Sequence, residues 1–184
     1  MATSDELRRV ALDQFSSAGY LATSLQNIAD AAGVSKASVL YHFESKESLL
    51  DAALAPTVDA LDVIVASLEG IDTSTAARRA FLAEFVDFLL EHRLGVHIFV
   101  NQSEALEDIA IIDRANALVE RVAGHFERQG GSMEEKVRFG IALAGAAYLL
   151  AAAGRFNQAS MLEADELRPV LTRILGELIA RPAR

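Results

Sequence analysis

The sequence predicts an all-α protein. Helix-start signals recur along it, apolar residues between them repeat at intervals of three and four, and β-branched alternation bounded by turns is missing. About nine helices are expected, and the length leaves one-domain and two-domain readings open.

The caps place the helices in order. Thr3-x-x-Glu6, Thr23-x-x-Gln26 and Ser132-x-x-Glu135 fit capping boxes, in which a hydroxyl and a Glu or Gln side chain satisfy free N–H groups at a helix start. The first helix is expected from about Ser4 to Ala18, with Leu7, Val10, Ala11 and Phe15 on one face and Gly19 at its end. A second runs from about Ser24 to Ala31 and a third from about Ser35 to Tyr41. Ser45 caps a long fourth helix that Gly70 closes. Pro56 lies inside it and is expected to kink it by displacing the Ala52 carbonyl.

The remainder reads as helices near 73–92, 95–100, 103–129, 132–154 and 165–181, with joints such as Gly130-Gly131. Phe81, Phe85, Phe88 and Leu89 form one stripe; Leu167, Leu171, Ile174 and Leu178 form another. In 132–154, Gly140, Ala144, Ala147 and Ala151 permit close packing, while Leu143, Leu149 and Leu150 make the other side apolar. A helix apolar all round is buried on both sides.

Composition narrows the class. The 184 residues are 52% hydrophobic and 23% charged, with 3 Pro and 11 Gly, a composition that folds rather than one that stays disordered. Cysteine is absent, which excludes disulfides, thiolate zinc sites and a cysteine nucleophile and makes the cytoplasm the expected compartment. Asp5, Glu6, Arg8 and Arg9 stand where a signal peptide needs an apolar core. The uncharged run Phe139 to Gly154 is shorter than the roughly 20 residues of a membrane span, so a buried helix and no membrane association are expected. His92 and His97 are five apart and neither His42 nor His125 completes a ligand set, so no metal and no cofactor are expected.

A formal net charge of −9 argues against a protein that coats nucleic acid nonspecifically. Any such binding must be local. Residues 1–50 hold Arg8, Arg9, Lys36 and Lys46 against Asp5, Glu6, Asp13, Asp30, Glu44 and Glu47.

Residues 23–43 are the informative segment: two short helices joined by a turn containing Gly33, as a helix-turn-helix requires. Leu25, Ile28, Ala29 and Val34 supply apolar contacts, Ala32 and Gly33 allow close backbone approach, and Ser35 is placed to cap the next helix. Lys36, Ala37, Ser38, Tyr41 and His42 remain exposed on it, free of acidic residues until Glu44. Such a surface suits the major groove, which admits one α-helix.

The run Gly19 to Leu50 resembles the DNA-binding region of the tetracycline-repressor (TetR) family. Gly19, the segment Thr23 to Ala29, Ala32-Gly33-Val34-Ser35, Tyr41-His42-Phe43 and Lys46-Glu47-Ser48-Leu49 follow one another at the family's spacing. The resemblance implies a helix-turn-helix DNA-binding domain over residues 1–48 followed by a helical ligand-binding and dimerisation domain over residues 49–184. It implies that Thr23 and Ser24 meet a phosphate, that Lys36, Ala37 and Ser38 lie where base edges are read, and that Tyr41, His42 and Lys46 lie at backbone-contacting positions. It further implies a homodimer through the helices near 132–154 and 165–181, hence a palindromic double-stranded operator. A small-molecule effector, hydrophobic or aromatic, is expected among Phe81, Phe85, Phe88, His92, Phe99, Asn116, Phe126 and Tyr148, with Asn116 interrupting the stripe Ile109, Ile112, Val119, Phe126. Pro56 would serve as a hinge that transmits the effector's presence to the DNA-reading helices.

The expected function is therefore a ligand-responsive repressor, not an enzyme, since no phosphate loop, metalloprotease helix or nucleophile elbow stands out. The poverty of basic residues keeps an alternative open: a helical ligand carrier or interaction module with a vestigial helix-turn-helix. The Phe81–Phe88 stripe also reads as ordinary core.

Overall fold

The computed structural model describes residues 3–70, 75–107, 109–128, 132–152 and 164–179. The described residues form nine α-helices and no strand: α1 Ser4–Ala18, α2 Leu25–Ala31, α3 Lys36–His42, α4 Lys46–Glu69, α5 Thr75–Glu91, α6 Arg93–Gln102, α7 Ala110–Arg128, α8 Met133–Ala152 and α9 Ala164–Ile179. A short 3-10 helix, Ser103–Leu106, follows α6. None of the described helices is long and apolar enough to cross a membrane.

Most starts are the expected ones. Thr3 accepts from the Glu6 N–H at 3.2 Å, and Ser132 and Glu135 exchange both bonds of their capping box. The second start shifts by one residue: the cap is Ser24 with Asn27, not Thr23 with Gln26, because Thr23 is turned inward. The expected 103–129 helix is two elements. Leu106 is drawn fully into the core, Glu107 turns extended at φ −54° and ψ 144°, and α7 starts afresh at Ala110. α4 runs through Pro56 as one helix, although Pro56 has no N–H to give to the Ala52 carbonyl. The Gly130-Gly131 joint and Gly154 lie outside the described residues.

The chain divides into two compact units, Met1–Asp59 with Leu94–Ala115, and Ala60–Arg93 with Asn116–Arg184. In the first, α1 buries Leu7, Val10, Ala11 and Phe15 as its periodicity predicts, and α2 and α3 add Ile28, Ala29 and Val39. α6 lies against α4 so closely that a Cβ on Gly95 would sit 2.8 Å from Thr57 Cγ2 and 2.9 Å from Thr57 Cβ, with Oγ1 nearer still. Only glycine fits there.

In the second unit the rings of Phe139, Phe81, Phe85, Phe88 and His92 form a column, with successive centroids 6.2, 6.2, 6.3 and 5.4 Å apart. Arg121 on α7 donates to Glu69 at 2.7 Å and Asp62 at 2.9 Å, and Arg168 on α9 forks onto Asp87 of α5. These hydrogen bonds hold the Glu69 and Asp87 carboxyls below their usual range. Both pairs are exposed enough that they orient helices more than they stabilise them. Burial lowers the affinity of His125 for a proton, and the nearby Arg128 lowers it further.

Within this chain α8 is covered on one side. Ala142, Ala146 and Ala151 face inward, whereas Val137, Ile141, Ala144, Gly145, Tyr148 and Leu149 line one exposed face. Val170 and Ile174 are exposed on α9, while Leu171 and Leu175 are buried. Within one chain these two helices therefore carry an uncovered apolar surface.

Candidate nucleic-acid interface

The turn between α2 and α3 follows from one backbone conformation and two local bonds. Gly33 takes φ +66°, a conformation that favours glycine, and Val34 N–H reaches back to the Ala29 carbonyl at 2.9 Å. Ser35 then accepts from the Ser38 N–H at 3.1 Å, which starts α3. Val39 and Phe43 point inward and pin α3 to the rest of its unit. The outward face is consequently Lys36, Ala37, Leu40 and Tyr41, with Tyr41 81% exposed and Ser38 and His42 half-buried. Leu40 is the member that the sequence reading missed. Its helical phase, four residues from Lys36 and one beyond the buried Val39, is the signal that places it there.

Other expected interface residues take different positions. Ser24 is exposed, but its hydroxyl and N–H are both engaged with Asn27. Thr23 is 2% exposed, and its hydroxyl donates to the Gly19 carbonyl at 2.8 Å while its N–H bonds the same turn. It is a turn-closing residue, not one that faces a phosphate. His42 has its Nε2 buried, with its ring 5.2 Å from that of Tyr41.

Lys46 also turns inward. Its Nζ donates to the Tyr20 carbonyl at 3.0 Å and the Thr23 carbonyl at 3.1 Å, and lies 4.1 Å from the Tyr20 ring centroid. Burial, then the Glu47 carboxylate, push the Tyr20 phenol above its ordinary range. Lys46→Met is expected to cost about 1–3 kcal/mol in urea unfolding, because two carbonyls lose a charged donor; an unchanged midpoint would assign Lys46 no role in this corner.

The charge is correspondingly thin. Arg8 pairs with Asp5 at 3.1 Å and Arg9 with Asp13 at 3.5 Å. With Lys46 engaged, Lys36 is the basic side chain among described residues 3–50 without such a partner.

Four of the expected effector residues stand together in the second unit. Phe81, Phe85 and Phe88 are buried in the ring column, and His92 is half-buried at its end. Phe99 belongs to α6 of the first unit. Asn116 is exposed on α7, where Ile111, Ile112, Ala115 and Leu118 form the buried stripe, so the phase inferred from Ile109 and Val119 is off by one position. Tyr148 stands on the exposed face of α8, and the side chain of Phe126 lies outside the described residues.

Comparison with known proteins agrees with this geometry. Residues 7–53 match the family described as bacterial regulatory proteins, tetR family. The chain is 33% identical over 115 residues to the HTH-type transcriptional repressor KstR2 of Mycolicibacterium smegmatis, covering 59% of this chain and 54% of that protein. It is 32% identical over 107 residues to IcaR of Staphylococcus aureus, the HTH-type negative transcriptional regulator of the biofilm operon icaADBC, covering 58% and 56%. These matches span about half the length of the curated relatives. The crystal structure of AmtR from Mycobacterium smegmatis shares the fold at a TM-score of 0.73 and 22% identity, over 100% of this chain and 89% of that one.

Proposed function

We propose, from the match of residues 7–53 to the tetR family of bacterial regulatory proteins, that the chain is a cytoplasmic transcriptional repressor. It binds a palindromic duplex operator as a homodimer and is released by a small hydrophobic or aromatic effector. The DNA-reading domain is residues 1–48, and residues 49–184 supply dimerisation and effector binding.

The observation that carries this reading is the construction of α3. Its inner face is fixed by Val39 and Phe43, and its outer face presents Lys36, Ala37, Leu40 and Tyr41 with no carboxylate among them. A helix of that kind enters a major groove with a cation for guanine, methyl and isobutyl groups for thymine methyls, and a phenol for the backbone. The exposed apolar faces of α8 and α9 support dimerisation through those helices, since apolar surface of this extent marks an interaction site. The aromatic column of the second unit is the place for a hydrophobic effector to wedge open.

Selection from a pool of random duplexes tests the reading: a repressor enriches an inverted repeat, with half-sites about 34–36 Å apart. A carrier with a vestigial helix-turn-helix, which the thin charge favours, enriches none. For the selected operator, a plot of log K against log [salt] is expected to have a slope of about −2 to −4, and Lys36→Ala is expected to make it shallower by about 2 per dimer. A slope unaltered by that substitution would remove Lys36 from the interface.

A further inference from the structure

We propose that Gln102, at the far end of α6, is a positioning residue for DNA binding, acting as a cap in trans for the corner between α1 and α2; this rests on the reading of α3 as the DNA-facing helix. α1 ends at Gly19 with φ +89° and ψ 150°, a conformation that breaks the helical bonding pattern and leaves the backbone around it in need of partners. The side-chain amide of Gln102 bonds this backbone twice: it is the acceptor for the Tyr20 N–H and a second donor to the Phe15 carbonyl, which also receives the Gly19 N–H at 3.2 Å. Its Nε2 donates to the Phe15 carbonyl at 2.8 Å, and its Oε1 accepts from the Tyr20 N–H at 2.7 Å. Both bonds have good length, and they cross more than 80 residues of sequence. Gln102 is half-buried, so water competes poorly for the same groups.

The corner leads directly to the DNA-facing surface. Tyr20 and Gly19 carbonyls receive the Thr23 N–H, Thr23 precedes the Ser24 cap of α2, and α2 packs on α3 through the Gly33 turn. Lys46 holds the same corner from the first residue of α4. α6 can hold it from the other side because Gly95 seats α6 against Thr57 of α4. The amide offers a donor and an acceptor in one plane, which suits a carbonyl and an N–H that lie side by side.

The test uses the full-length chain and the duplex that it selects from a random pool. Gln102→Leu is expected to weaken operator binding about tenfold, since the Tyr20 N–H loses its acceptor and the Phe15 carbonyl loses one of its two donors. Gln102→Glu separates positioning from general damage. The ionised carboxylate still accepts from Tyr20 but sets an oxygen against the Phe15 carbonyl, whereas the protonated carboxyl restores both bonds. Its deficit relative to the native chain, measured at each pH, is expected to be full at pH 8 and to shrink as pH falls towards about 5.5, because the apposed carbonyl and partial burial raise the introduced carboxyl's pKa. Equal binding by native and Gln102→Leu chains, or a Gln102→Glu deficit that does not change with pH, would overturn the assignment. If the native chain selects no duplex, it is the DNA-binding reading that fails.

Discussion

Gly95→Ala is expected to destabilise the protein by about 2–3 kcal/mol in denaturant unfolding, a large effect for one added methyl group. The physical cause is backbone approach rather than conformational freedom. The new Cβ would meet Thr57 Cγ2 at 2.8 Å and Thr57 Cβ at 2.9 Å, and Thr57 is 3% exposed with no room to withdraw. α6 would have to lift from α4, and interiors packed like crystals resist that. Thr57→Gly in the Gly95→Ala background removes every clashing atom and is expected to recover part of the loss, while Thr57→Ser keeps two of them and recovers little. Unfolding of Gly95→Ala at the native denaturant midpoint would show that the two helices do not need this approach. Because α6 ends at Gln102, the same substitution is expected to weaken operator binding as well.

Ile141→Glu is expected to convert the proposed dimer to monomer and to reduce operator affinity by about 100-fold or more, the scale lost when two linked half-site contacts become independent. Ile141 is 57% exposed at the middle of the α8 face that also carries Val137, Tyr148 and Leu149, beside Val170 and Ile174 of α9. Buried against a second copy, a carboxylate there would be costly, because Arg138, the cation three residues back on α8, already pairs with Glu134. Ile141→Ala retains an apolar surface and serves as the mild member of the pair. Sedimentation velocity reads the assembly and a duplex titration reads the affinity. A dimer that survives Ile141→Glu unchanged would move the interface away from α8.

Much of this molecule is legible in one dimension. α1 begins and ends where Thr3 and Gly19 predict, because capping is local chemistry between residues three or four apart. The Gly33 turn and the Ser35 cap are local in the same sense. The errors arise where a residue has two uses. Thr23 and Ser24 both suit a cap, and burial of Thr23 decides between them. Ile109, Ile112, Asn116 and Val119 form a plausible stripe along and just before α7, yet Ile111, Ile112, Ala115 and Leu118 are the ones that pack. A helix with apolar residues on adjacent phases offers more than one face, and only its neighbours choose.

The division at the candidate interface follows the same line. The sequence by itself determined that a helix-turn-helix is present, where it starts and which face of α3 is polar, since each depends on spacing along the chain. Only the tertiary structure decided that Lys46 and Thr23 bond backbone carbonyls of the α1–α2 corner, that Leu40 joins the exposed face, and that Gln102 bonds the end of α1. Those roles depend on which distant backbone carbonyls and N–H groups lack a partner. That is a property of how helices meet, and no periodicity records it.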